Sequence, residues 1–161
     1  MSQRSVKAYV QGLLDGLTVQ TIRDPLSISV ELPSITVPNS PIGWVWISAG
    51  RETRFAGSRG TGYKEIDYTL QTIIALDIDP SATDVDQNQF DDLLEGVSYT
   101  LRTTSALGVT LTDSVTNRTS DLMNMGEEIE ISREEPVALE DQGLLRYIAT
   151  ITTSVKELAT G

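Results

Sequence analysis

From Tyr63 to Ile78 the sequence alternates with a period of two: Ile66, Tyr68, Leu70, Thr72, Ile74, Leu76 and Ile78 take one parity, and Glu65, Asp67, Thr69, Gln71 and Asp77 the other. Successive side chains of an extended backbone point to opposite faces, so the pattern specifies one long strand with one buried face. At ~3.3 Å per residue the strand reaches about 50 Å. That is longer than the core of a small domain needs, and its first half is expected to project as a hairpin arm. Strands that overreach their own core leave edges and faces to be covered, and in a homo-oligomer a neighbouring copy covers them.

The flanking sequence supplies partners. Gly43 to Gly50 is rich in strand formers and bounded by glycines, and Arg51 to Gly62 carries charges and glycines that read as a mobile loop. Strand, loop and strand make a hairpin over about 43–79. Trp44 and Trp46 share one face of its first strand; core packing is the ordinary reading and a partner surface the alternative. Ile129 and Ile131 alternate within Glu127 to Glu135, and Leu145, Tyr147, Ala149, Ile151, Thr153 and Val155 alternate again. These are closing strands over about 127–156, joined through a loop from Pro136 to Gly143. Leu107 to Leu111 reads as a short strand. Asn117 to Gly126 reads as a loop whose Leu122, Met123 and Met125 need cover.

Two segments have the helical period instead. Val6, Tyr9, Val10, Leu13, Leu14 and Leu17 fall on one face of a helix over about 3–16 that Gly16 ends. Phe90, Leu93, Leu94, Val97 and Leu101 do the same for a helix over about 86–103, after an Asp79-Pro80 stop and a capping-box pattern at Asp84 or Asp86. Between Thr18 and Pro41 four prolines remove ladder donors, leaving a connection with at most short edge strands. The whole reads as a single α+β domain over 1–161: an antiparallel or mixed sheet with a long hairpin arm, packed by an N-terminal helix and one central helix.

Composition narrows the chemistry. The chain has no cysteine and no histidine. Disulfides, thiol catalysis and every Ser-His-Asp or Cys-His arrangement are therefore excluded, and the commonest metal ligand is missing. An enzyme is not expected. With 23 acidic against 12 basic residues the formal charge is −11, which repels nucleic-acid phosphates and suits a conduit through which DNA passes without sticking. Apolar runs fall far short of the ~20 residues that cross a bilayer, and the first residues form no signal-peptide core. The reading is of a protein made and used without Sec export and away from membranes.

Three local patterns invite function. The acids Asp77, Asp79, Asp84, Asp86, Asp91, Asp92 and Glu95 suggest a divalent cation, but as a calcium loop starting at Asp77 the turn position is Ala82 rather than glycine. Strand polarity, helix capping and the helix dipole account for them otherwise. Gly57 to Lys64 has the glycines of a phosphate loop without the Gly-Lys-Ser/Thr or the helix that follows one. Arg51, Arg54, Arg59 and Lys64 concentrate positive charge in an acidic chain, with Phe55 among them. The alternatives are a solvated loop and a contact surface for acidic groups of a neighbour, where arginine binds carboxylates bidentately.

The order of elements resembles the tail-terminator proteins of long-tailed phages with lambda-like tails. Arg51-Glu52-Thr53-Arg54-Phe55-Ala56-Gly57-Ser58-Arg59-Gly60-Thr61-Gly62-Tyr63-Lys64-Glu65 looks like that family's hairpin segment, and Phe90 to Arg102 like its helix. The resemblance implies a ring, a hexamer in the family, that caps the growing tail tube, ends its polymerisation and presents a surface to the neck. The implied partners are other copies of the chain, the major tail tube protein and a neck or head-completion protein, with DNA passing through unbound. The implied location is the tail or neck of a virion assembled in the host cytoplasm. Arg51, Arg54, Phe55, Arg59, Tyr63 and Lys64 become candidates for the subunit or tube interface, with no catalytic, metal or cofactor residue. Other readings are a different neck, connector or tube component, a carboxylate-dependent metal protein on Asp77, Asp79, Asp84 and Asp86, and a monomeric binding module.

Overall fold

A computed structural model describes residues 3–30, 38–55, 63–81, 87–103, 109–112 and 119–160. The elements are α1 (Gln3–Leu14), β1 (Ser27–Ser29), β2 (Ile42–Phe55), β3 (Tyr63–Ile78), α2 (Gln87–Thr103), β4 (Thr110–Thr112), β5 (Thr119–Arg133), β6 (Val137–Leu139) and β7 (Leu144–Thr160). The strands form one sheet in the order β1-β2-β3-β7-β5-β4, with β6 also beside β7. β1 runs parallel to β2, and the remaining pairs are antiparallel.

β7 is the spine. On one side it pairs with β3 in an unbroken register from Tyr63↔Thr160 to Ile78↔Leu145. On the other it pairs first with β6 and then with β5. The alternation that specified β3 is matched on β7, so Leu70, Ile74 and Leu76 lie buried beside Tyr147, Ala149, Ile151 and Val155 on one face. Both helices cover that face. α1 contributes Val6, Val10 and Leu14, and α2 contributes Phe90, Leu93, Leu94, Val97 and Leu101, all buried. Each such aliphatic side chain contributes about 1.5–3 kcal/mol on burial.

Local interactions fix the helices in place. Gly16, at φ 85°, ends α1 in the left-handed conformation that glycine takes without steric cost. Its amide donates to the Leu26 carbonyl at 2.7 Å, and the Leu26 amide donates to Leu17 at 2.8 Å. Gln11 Nε2 then donates to the Ile28 carbonyl at 3.0 Å, and the Ile28 amide donates to Asp15 Oδ1 at 2.9 Å. The last turn of α1 thus holds β1 against the edge of β2. At the other end of the molecule the Phe90 ring packs against Tyr147, centroids 5.5 Å apart and planes tilted by 39°, and lies under the Arg133 guanidinium at 5.4 Å, tying α2 to β7 and β5.

The hairpin and both helices fall where the periodicities put them, with corrections at four places. Arg51 to Phe55 is not loop but the continuation of β2, because it pairs with Tyr63 to Asp67. The far half of the hairpin does not stand free, since β7 runs beside it to Thr160. Residues 119–126 are not a loop but the first half of β5; Leu122 is covered at 1% exposure by its place opposite β7. Register shifts after Leu122 and between Met125 and Ile129 break the alternation there, so no period of two marks the strand in sequence. Within 136–143, Val137–Leu139 forms β6 and only the turn to Gly143 is loop. The Leu107 to Leu111 strand is found at Thr110–Thr112, while Leu107, Asp84 and Asp86 lie outside the described residues.

Gly43 has a specific packing reason. A Cβ there would lie 2.7 Å from the Ile73 carbonyl oxygen, 2.8 Å from Ile28 Cδ1 and 2.9 Å from Ile74 Cδ1. Gly43→Ala is therefore expected to cost about 1–3 kcal/mol through overpacking at the β1–β2–β3 junction, read as a lower urea midpoint with unchanged slope. An unchanged midpoint would show that β1 is not seated as described.

Candidate functional site

The helices occupy one face of the sheet, and the opposite face is built from the other parity of the same strands. Glu65, Asp67, Thr69, Gln71 and Ile73 of β3 lie between Ile148, Thr150, Thr152, Ser154 and Lys156 of β7 and Trp44, Trp46, Ala49 and Arg51 of β2. Trp44 and Trp46 are therefore not core residues: they pair with Ile73 and Gln71 on this outer face, and Trp46 is 43% exposed. The core is filled instead by leucines and isoleucines from the helices and the inner parity of the strands.

Towards the far end the outer face becomes charged. Lys156 Nζ lies 2.8 Å from Glu65 and 3.8 Å from Asp67, while on the inner parity beyond Ile66 Lys64 Nζ lies 3.7 Å from Glu52. Arg51, exposed, is opposite Asp67 in register. Two shallow clefts of about 470 Å³ and 450 Å³ adjoin there, sharing Thr69, Glu128 and Ser154. Both are open, with polar and charged walls. Small-molecule sites are enclosed and mostly apolar, so this geometry suits the contact of one macromolecular surface with another.

The sequence candidates largely converge. Phe55↔Tyr63 and Arg54↔Lys64 are the last cross-strand pairs of the hairpin, and Arg51 is on the same strand within one turn of the pleat. Five of the six thus gather at one end of the sheet, and Arg59 lies outside the described residues. No sequence argument had singled out the opposite edge. There β5, the link to β6 and the turn after β6 expose Glu130, Glu134, Glu135, Glu140 and Asp141, while Glu128 lines the cleft that Arg51 shares and Arg133 is bonded to Asp91. The acidic composition of that stretch was the available signal.

The acids around Asp77 are separately engaged. Asp77, 1% exposed, accepts two hydrogen bonds from Arg146, at 2.8 Å from Nε and 2.9 Å from Nη2. It is not a solvent-facing residue of the strand's polar face but half of a buried bidentate pair. Asp79 accepts from the hydroxyl and amide of Ser81, first the hydroxyl, and is held below the usual carboxylate range. Asp92 accepts from Thr21 Oγ1 at 2.9 Å. Among the described residues no three acids gather as a metal would require, and no helix is long and apolar enough to cross a membrane.

One ionisable group lies in the core itself. Glu157 sits on the inner parity of β7, paired with Ile66 and Leu122, with 0% exposure. Neither carboxylate oxygen has a hydrogen-bond partner at bonding distance, although the Ser120 hydroxyl is nearby. Burial raises its pKa to about 7, with Ser120 opposing. Tyr68 is pushed well above its ordinary value by burial, then by Glu157 and Glu52. No protein-family model matches the chain, and no curated protein is similar to it in sequence.

The consequence of Glu157 is a pH dependence. Its folded pKa is above its unfolded one, so between about 4.5 and about 7 the folded state holds the extra proton. Stability is fully present below the lower value and falls as pH rises to the upper one. Glu157→Gln is expected to raise stability at pH 8 by about 2–3 kcal/mol and to flatten this fall, measured by thermal melts from pH 5 to 8. An unaltered slope would remove Glu157 as its source.

Proposed function

We propose that the chain is a virion structural protein, a tail terminator whose copies form a ring that caps the tail tube, ends its polymerisation and joins the tail to the neck. The observation that carries this reading is the order of elements along one domain. Helix, proline-rich connection, long hairpin, helix and closing strands follow each other as in the family the sequence resembles. The open, charged outer face supports a role in contact with another macromolecular surface.

In this reading the partners are other copies of the chain, the major tail tube protein and a neck protein. Assembly takes place in the host cytoplasm, and the ring, six-membered in the family, is carried into the virion. The hairpin end with Arg51, Arg54, Phe55, Tyr63 and Lys64 meets a neighbouring subunit or the last ring of the tube. The net charge of −11 keeps DNA moving through the bore without adhesion, because like charges repel at short range in physiological salt.

The test is a tube-growth assay. Purified chain added to polymerising tail tube protein is expected to stop elongation and to leave a cap at one tube end in negative stain. Rings that bind neck protein and leave tube growth unaltered would instead support a neck connector. Tubes that elongate unchanged, with no ring or end density, would sink the proposal.

A further inference from the structure

The two tryptophans of the chain stand on the same outer face of the sheet. Trp44 lies opposite Ile73 and Trp46 opposite Gln71, two residues and therefore about 7 Å apart along β2. A register shift between Ile47 and Ala49 then inserts one residue, so that Ala49 and Arg51 keep to the tryptophans' face although their parity in sequence is the opposite one. Bulges of this kind re-aim side chains and recur beside functional sites. Trp46 begins a row that crosses four strands: Gln71 of β3 follows it, then Thr152 of β7 and Glu130 of β5. Among the described residues no hydrogen bond or ion pair engages the side chains of Gln71, Thr152 and Glu130. The next row, Ala49, Thr69 and Ser154, lines the first open cleft, together with Glu128.

These rows define the chemistry of an occupant. The basic groups are matched, Arg51 by its place opposite Asp67 and Lys156 by Glu65 and Asp67, so the surplus charge, on Glu128 and Glu130, is negative. A polyanion is repelled, by the face as by the whole chain. An exposed indole takes an apolar surface, while amide, hydroxyl and carboxylate groups mixed along one row are all satisfied by a group that both donates and accepts, as a hydroxyl does. A neutral sugar chain offers the two together, axial C–H bonds on the flat of each ring and equatorial hydroxyls at its rim. The clefts are open where small-molecule sites are enclosed, and an open cleft accommodates a polymer that enters and leaves at its ends.

We propose that this outer face binds a neutral, β-linked polysaccharide of gluco configuration, with one sugar ring stacked on Trp46 and its neighbours hydrogen-bonded by Gln71, Thr152, Thr69 and Glu130. A β-linked chain of this kind extends as a flat ribbon, the shape an open strand face takes, whereas an α-linked chain coils away from it. The end of the hairpin beyond Arg51 is left for the subunit and tube contacts proposed above, and the sugar site does not rest on the tail assignment.

Because the chain's two tryptophans both lie on this face, intrinsic fluorescence reads its occupancy. Titration with cellohexaose, or with its 2-acetamido counterpart chitohexaose, is expected to shift the emission to saturation. Glucose and the α-linked maltohexaose are expected to need at least about tenfold more sugar. Trp46→Ala, and separately Gln71→Ala with Thr152→Ala, are each expected to weaken binding at least about tenfold by calorimetry, with the far-ultraviolet circular dichroism spectrum unchanged. No shift with either hexamer at about 10 mM, where a Kd of about 1 mM fills about nine-tenths of the sites, overturns the proposal. Binding that both variants retain overturns it as well, as does glucose or maltohexaose binding as tightly as the β-linked hexamers. Sugar without effect while tail tube protein shifts the same emission assigns the face to a protein contact, which sinks the sugar site and leaves the tail reading standing.

Discussion

The ladder between β3 and β7 is the constraint on which the rest of the molecule depends. Its register runs unbroken from Tyr63↔Thr160 to Ile78↔Leu145, so the inner parities of two long strands lie side by side along the whole ladder. That double stripe is what α1 and α2 cover. A slip of one residue would send each of these side chains to the other face, exposing Leu70, Ile74 and Ile151 and burying Glu65, Asp67 and Lys156. β7 has partners on both sides, so its last residues are held although they lie far from the centre of the core.

Two carboxylates illustrate how the faces differ. Asp77 lies on the outer parity at one end of the ladder and accepts a bidentate pair from Arg146, so its burial is compensated by charge and hydrogen bonds. Glu157 lies on the inner parity near the other end, where Ile66 and Leu122 flank it and no cation pairs with it within the described core. The same functional group is there shifted towards its neutral form, because burial without a partner penalises charge. A chain that carries such a residue in its core spends stability at neutral pH, and the region around it is correspondingly easier to open.

Much of the fold is legible in the sequence, and the reasons for the rest are physical. β3 and β7 alternate cleanly because one face is packed along their length, and α1 and α2 carry stripes because each has one buried side. β5 does not, because its register shifts move side chains from one face to the other, and Ser120, Asp121 and Asn124 hide a strand held by its pairing with β7. Arg51 to Phe55 carries the composition of a loop, and only the cross-strand partner on β3 makes it strand. Trp44 and Trp46 were legible as sharing a face but not as to which face. Side-chain period gives parity, whereas the position of the helices decides which parity is inside. Glu157 lies one residue past the closing strands as read from the sequence, and only the continued pairing of β7 with β3 places it on the buried parity. The gathering of Arg51, Arg54 and Lys64 at one end of the hairpin required the β2–β3 register.

A sheet whose outer face carries Trp44, Trp46 and a charged far end, uncovered by either helix among the described residues, is, in this account, a unit that is completed outside itself. The most direct measurement is amide hydrogen exchange on the wild-type chain at concentrations well below and well above assembly. The account expects slowed exchange at high concentration at the hairpin end, in β2 from Ala49 to Phe55, with the β3–β7 ladder protected throughout. Assembly that leaves that segment exchanging as in the monomer would contradict it.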